Sequence, residues 1–186
     1  MKMNKKISEI IKENRLTNQR LQESCIPSIV ELIDNARNTL KKKGKVVFFG
    51  NGGSAADSQH IAAEFTGKFK TYQRFLPAIA LTTNTSALTA ISNDFSFDDI
   101  FSMQVKSLVN KNDLVIGIST SGNSTNVIKG VLEAKKIGAK TVSFTGAKGG
   151  KLAKIADIII KVPSDDTQRI QEFHIMIGHI LCELVN

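Results

Sequence analysis

The sequence is poor in the residues that build aromatic, disulfide-bonded or membrane-spanning proteins. Its 186 residues include no Trp, one Tyr, three Pro and two Cys. With aromatics at 6% of the chain, a core has to be mainly aliphatic. Cys25 and Cys182 are too few for a disulfide framework, which excludes the small secreted scaffolds that depend on one. No apolar stretch reaches the roughly 18 residues that a membrane helix needs, so no membrane partner is expected. The charged start Met1-Lys2-Met3-Asn4-Lys5-Lys6 is not followed by an apolar segment of the signal-peptide kind. These absences predict a cytoplasmic protein. Repeats, low-complexity tracts and linkers are missing too, so residues 1–186 are expected to form one domain of ordinary size.

One sign of charge is in excess, with a formal net charge of +8. A basic balance suits nucleic acid or small anions. The one dense basic run, Lys41-Lys42-Lys43-Gly44-Lys45, falls where a helix should end, and cations are favourable at the partly negative C-terminus of a helix. No basic stripe interleaves with aromatics, so no nucleic-acid surface is expected. Small anions remain.

Residues 1–43 carry almost no strand signal. Ile7, Ile10 and Ile11 recur at helical spacing, as do Cys25, Ile29, Ile33 (or Leu32), Ala36 and Leu40. Pro27 either kinks this segment or opens a second helix. The arm holds more apolar residues than one sheet face needs, which points to an oligomer contact. Beyond it, short apolar runs at residues 46–49, 78–81, 114–118, 141–144 and 158–162 alternate with helical segments. Strands apolar on successive residues are buried on both faces, hence parallel and covered by helices. The prediction is an α/β fold: a doubly wound five-stranded parallel sheet flanked by helices, with a helical N-terminal arm.

In such folds ligands bind beyond the C-terminal ends of the strands. Three of those ends are rich in glycine or hydroxyls: Gly50-Asn51-Gly52-Gly53-Ser54-Ala55, Ser119-Thr120-Ser121-Gly122-Asn123-Ser124 and Thr145-Gly146-Ala147-Lys148-Gly149-Gly150. The first fits the dinucleotide pattern G-x-G-x-x-A, but the second strand ends in Thr82-Thr83-Asn84 and lacks the acidic residue that would hold a ribose. A Walker A loop is excluded, because no Gly-Lys-Ser/Thr follows either glycine loop. The serine loop puts four hydroxyls in six residues before a helix that starts near Ser124. Hydroxyls, free N–H groups and a helix N-terminus make an anion cradle. The plainer reading is a serine-rich turn with Ser124 as a helix cap.

His60 and Glu64, at i and i+4, share one helix face and suit either a metal half-site or an acid/base pair. A surface polar pair is the plainer alternative. His174 and His179 lie on the last helix among Ile170, Phe173, Ile177, Ile180, Leu181 and Leu184, where histidines are commonly structural. His174 is read that way.

These motifs resemble the bacterial phosphoheptose isomerases of the sugar isomerase (SIS) domain superfamily. The match begins at Phe49-Gly50-Asn51-Gly52-Gly53-Ser54-Ala55-Ala56-Asp57-Ser58-Gln59-His60 with Glu64. It continues through Asn93-Asp94-Phe95, the serine loop, and Arg169-Ile170-Gln171-Glu172. The serine loop alone marks the superfamily; its combination with His60, Glu64, Gln171 and His179 is more specific. The resemblance implies a homotetramer that interconverts sedoheptulose 7-phosphate and D-glycero-D-manno-heptose 7-phosphate, the first step towards activated heptose for lipopolysaccharide or another surface glycan. It implies zinc on His60, Glu64, Gln171 and His179. It implies substrate contacts from Asn51, Gly52, Gly53 and Ser54, from Glu64, Asn93 and Asp94, from Ser119, Thr120, Ser121 and Ser124, and from Gln171. Lys68 departs from the family, which often carries arginine there; lysine keeps the charge but loses the bidentate fork.

Aldose–ketose exchange moves a proton between C1 and C2, so the site needs a base and a stabiliser for the enediolate. Glu64 is the expected base and His179 the expected acid. The rival is a non-catalytic tetrameric SIS adaptor that binds a replication initiator; retention of Glu64 and His179 speaks against it. A regulator's sensor module is disfavoured because no DNA-binding helix-turn-helix is attached. Gln171 and His179 are eight residues apart, about 12 Å along one helix. One of the two is therefore expected from a neighbouring subunit, with the active site at a subunit interface.

Overall fold

The computed structural model describes residues 2–67 and 75–185. Lys68 lies outside the described residues. The arm is two helices, α1 (Lys2–Ser24) and α2 (Ile26–Lys41). Pro27 sits in the first turn of α2, where its missing N–H costs nothing, so it opens a helix rather than kinking one. Then follow β1 (Val46–Gly50), α3 (Gly53–Thr66), β2 (Ala78–Ala80), α4 (Thr85–Asp94), α5 (Ile100–Leu108), β3 (Leu114–Ile118), α6 (Thr125–Ile137), β4 (Lys140–Thr145), β5 (Ile158–Lys161) and α7 (Thr167–Leu184).

The five strands form one parallel sheet in the order β2-β1-β3-β4-β5. Side chains alternate across a strand. Val46 and Phe48 therefore join the core under α2, α3 and α7, with Leu32, Ile61, Phe65, Phe173 and Ile177. Val47 and Phe49 join the core under α5 and α6, with Phe101, Val105, Val127 and Val131. The rings of Phe49 and Phe101 stack at 5.0 Å. Full burial of each such side chain stabilises by about 1.5–3 kcal/mol, which is why every residue of β1 and β3 is apolar or glycine.

The chain leaves β1 towards β2 on one side and returns to β3 on the other. Its connections diverge between the C-terminal ends of β1 and β3, which opens a crevice there. The arm contrasts with this packed centre. α1 buries only Thr17 and Leu21, and Met3, Ile7, Ile10 and Ile11 are exposed. The apolar surplus expected from the sequence is thus present on the surface of a single chain.

Candidate active site

The crevice between β1 and β3 holds a cleft of about 290 Å³. Its walls are the first glycine loop (Asn51, Gly52, Gly53, Ser54), the serine loop (Ser119, Thr120, Ser124) and, from α7, Thr167 and Gln171. The sequence-predicted substrate residues of these loops are thus brought together, except that Ser121 lines an adjoining pocket beside Thr120 and Asn123. Gln171 reaches the cleft because α7 lies against the start of α3: a Cβ on Gly53 would stand 2.4 Å from the Gln171 amide nitrogen.

Three serine hydroxyls converge here. Ser119 Oγ lies 2.9 Å from Ser124 Oγ and 3.4 Å from Ser121 Oγ. The Ser124 hydroxyl makes no cap hydrogen bond to α6. It is spent on Ser119, so the plain helix-cap reading does not describe it. Hydroxyls converging at a helix N-terminus suit a multiply charged oxyanion. Asn126, which the sequence reading missed, braces this wall. Its side-chain amide pairs reciprocally with that of Asn51, at 2.8 and 3.0 Å. A buried Asn in the first turn of a helix signals only a helix start; its partner becomes visible when the loops meet in space.

A second cluster lies farther along the same two helices. α3 and α7 run side by side, packed so closely that a Cβ on Gly178 would stand 2.4 Å from Ile61. This puts His179 beside His60, Nε2 to Nε2 at 3.4 Å, with the rings at 71°. His60 Nε2 is also 3.1 Å from Glu64 Oε1. The ligand atoms of His60, Glu64 and His179 all lie within 4.8 Å of one another. A tetrahedral ion with bonds of about 2.0–2.2 Å needs ligand atoms roughly 3.3–3.6 Å apart; two imidazoles and a carboxylate fit zinc in chemistry, and the two pairs at 3.4 and 3.1 Å lie close to that spacing. His179 is therefore one of a cluster of potential ligands, only partly buried, and not a sealed core side chain like His174. His174 is structural, as read. It is fully buried, its Nε2 meets the Thr145 carbonyl oxygen at 3.2 Å, and burial pushes its pKa down to about 4.

Three expected residues stand elsewhere. Gln171 is at the cleft, eight residues from His179 on an unbroken helix, about 12 Å along its axis. Asn93 and Asp94 end α4, are exposed and bond each other at 2.8 Å, away from the cleft walls. The sequence reading also passed over Asp57, one turn before His60. Burial pushes its pKa up to about 6 against the opposing pull of His60, and its Oδ2 is buried with no partner among the described residues. Its signal was a carboxylate three residues from a candidate ligand on a helix that packs on the core.

The arrangement joins an anion cradle to a polar cluster able to hold a cation and move a proton. Residues 11–146 match the SIS domain model. The phosphoheptose isomerase of Aquifex aeolicus is 52% identical over 183 residues, spanning 98% of this chain and 96% of that one. The chain belongs to the phosphoheptose isomerase family. Two solved phosphoheptose isomerases share its fold throughout. That of Francisella tularensis superposes with a TM-score of 0.96 at 34% identity, over 100% of this chain and 98% of that one. That of Neisseria gonorrhoeae gives 0.93 at 40% identity, over 99% of both. These relatives bear the name of an enzyme, so the adaptor alternative gains no support. No helix among the described residues is long and apolar enough to cross a membrane.

Proposed function

We propose that this protein interconverts sedoheptulose 7-phosphate and D-glycero-D-manno-heptose 7-phosphate through an enediol. The observation that carries this reading is the pairing of two stations on α3 and α7. Gly53 and Gln171 mark the first, His60 and His179 the second, seven residues and about 10 Å further along α3. An open-chain heptose 7-phosphate likewise carries its phosphate and its carbonyl at opposite ends.

Ser119, Ser121, Ser124 and Thr120 hold the phosphate, and the amides around Gly52 and Gly53 hold the sugar hydroxyls. Glu64, half-buried beside His60, takes the C–H proton at one carbon and returns it at the next. His179 exchanges protons with the sugar oxygens during ring opening. Zinc on His60, Glu64 and His179 would act as a Lewis acid on the carbonyl. Gln171, which lies a cleft's length from the cluster within one chain, would join these ligands from a neighbouring copy. Asn93 and Asp94 reach substrate in the same way, across a contact between copies. The exposed apolar residues of α1 supply that contact in a homotetramer. Buried free cysteines suit a cytoplasmic enzyme, and the product suits activated-heptose synthesis for a surface glycan.

The test is direct. NMR of the purified enzyme with sedoheptulose 7-phosphate should show conversion to the aldose, with about one zinc per chain by elemental analysis. Removing residues before about Ser24 should abolish assembly and activity together. An intact assembly without turnover would overturn the isomerase reading. A fully active monomer would overturn the shared site alone.

A further inference from the structure

The glycine-rich loop after β4 is not used by the chemistry above, although it adjoins the serine loop. At Gly122 (φ +66°), the tip of the serine loop, a Cβ would stand 2.1 Å from the Gly149 carbonyl oxygen. At Gly150 (φ +55°) a Cβ would stand 2.6 Å from the carbonyl oxygens of both Gly122 and Ser121. Backbone lies directly on backbone, which only glycine allows at these angles. The Gly146 N–H donates to the Thr120 carbonyl at 2.9 Å, and the Leu152 N–H to the Gly122 carbonyl at 3.0 Å.

One side chain ties the two loops together. Asn123 Oδ1 accepts the Lys151 N–H at 3.1 Å, from the glycine loop. Its Nδ2 donates to the Ser121 carbonyl at 3.0 Å, and its backbone N–H donates to the Ser121 hydroxyl at 3.1 Å. Ser121 is thus held at both its carbonyl and its hydroxyl by a residue that is itself anchored to the opposite loop. Asn123 does not line the cleft between β1 and β3; with Ser121 it borders the adjoining pocket, its own amide spent on the two loops.

We propose that Asn123 is a positioning residue for the phosphate cradle. It fixes Ser121 against the loop after β4, so that the hydroxyls of Ser119, Ser121 and Ser124 are aimed before ligand arrives. The proposal rests on the serine loop being the phosphate cradle. A loop ordered in advance does not lose its conformational freedom at the moment of binding, and that saving appears as affinity. The glycine loop is the rigid surface on which the ordering depends.

Two variants attack the brace from its two sides. Asn123→Ala removes the side chain. Lys151→Pro, read against Lys151→Ala to discount the lost lysine side chain, removes the N–H that Asn123 accepts, at a φ of −68° that proline adopts. In the full-length enzyme, each should raise the KM for the phosphosugar and the inhibition constant of inorganic phosphate about five- to tenfold. kcat should fall far less, and the melting temperature should hold. The double variant should bind no more weakly than Asn123→Ala, because both act through one bond. Unchanged constants in Asn123→Ala, a loss confined to kcat, or additive losses in the double variant would overturn the proposal. Failure of the cradle reading looks different: inorganic phosphate would then not compete in the unaltered enzyme, and the proposal would fall with it.

Discussion

The two stations on α3 and α7 are built by opposite means. The cradle is made of loops: its hydroxyls bond one another, its backbone is pressed against a second loop, and Ser119 is buried. The cluster is made of side chains on regular helices, and His60 keeps half its side chain exposed. A phosphate needs fixed donors around a fixed charge, which backbone geometry supplies. A proton transfer needs groups that accept and release charge as the sugar changes, which side chains supply. The division predicts that changes at one station should leave the other's measurable property intact.

The largest effect should come from Glu64→Gln. It keeps the size and the hydrogen-bonding reach of the side chain but removes its basicity. Turnover should fall about 10²- to 10⁴-fold, the usual worth of a positioned acid/base, while inhibition by inorganic phosphate stays unchanged. Phosphate inhibition that weakens in step with turnover would mean that the stations are not separate.

His174 tests the buried side of the same helix. Its pKa is lowered from 6.5 to about 4 by burial, so it is neutral when folded and takes a proton on unfolding in mild acid. The unfolded state then binds more protons, and stability falls as pH drops from 6.5 towards 4, by about 3 kcal/mol in all. Above pH 6.5 the group contributes no pH dependence. Asp57 acts with the opposite sign. Its pKa is raised to about 6, so it favours the folded state as pH falls through that value and partly masks the histidine. The variant His174→Gln isolates the effect. Urea unfolding in the presence of a chelator should show a stability that declines less steeply between pH 6.5 and 4 than the parent's. Parallel curves would place a charged histidine in the core.

Ser119→Ala and Ser121→Ala should each weaken phosphosugar binding by about 1 kcal/mol, or about fivefold, and more if the bond is charge-assisted. An unphosphorylated heptose should bind these variants as it binds the parent. Equal losses for both sugars would make the loop a reader of the sugar.

What the sequence disclosed follows the same division. The sheet was legible because β1 and β3 are apolar on successive residues, a pattern that only burial on both faces explains. The cradle was legible because its donors are contiguous, and His60 with Glu64 because a helix brings i and i+4 together. His179 was not legible from the apolar stripe of α7 itself and was named through the family resemblance alone. Its place beside His60 depends on Gly178 letting α3 approach, and nothing local marks that glycine as a contact. Asn126 and Asp57 were hidden for the same reason: their meaning lies in what another element brings to them.

The smallest expected effect is the loss of stability in Ser124→Ala, and its smallness is informative. Ser124 occupies the residue position that caps α6, and replacing a capping serine by alanine commonly costs about 0.5–2 kcal/mol. Its hydroxyl, however, makes no cap bond and lies 2.9 Å from Ser119 Oγ. The loss should therefore be under about 0.5 kcal/mol, the range of an ordinary exposed substitution. Asn84 and Asp166 provide the contrast, because their side chains do cap, accepting the N–H of Ala87 and of Arg169 at 3.0 Å. Asn84→Ala and Asp166→Ala should each cost about 1 kcal/mol in urea unfolding. Inhibition by inorganic phosphate should rank the first two in reverse, weakened in Ser124→Ala and unchanged in Asn84→Ala. A Ser124→Ala variant as unstable as the true cap variants, with its phosphate inhibition intact, would return this serine to the helix and take it out of the cradle.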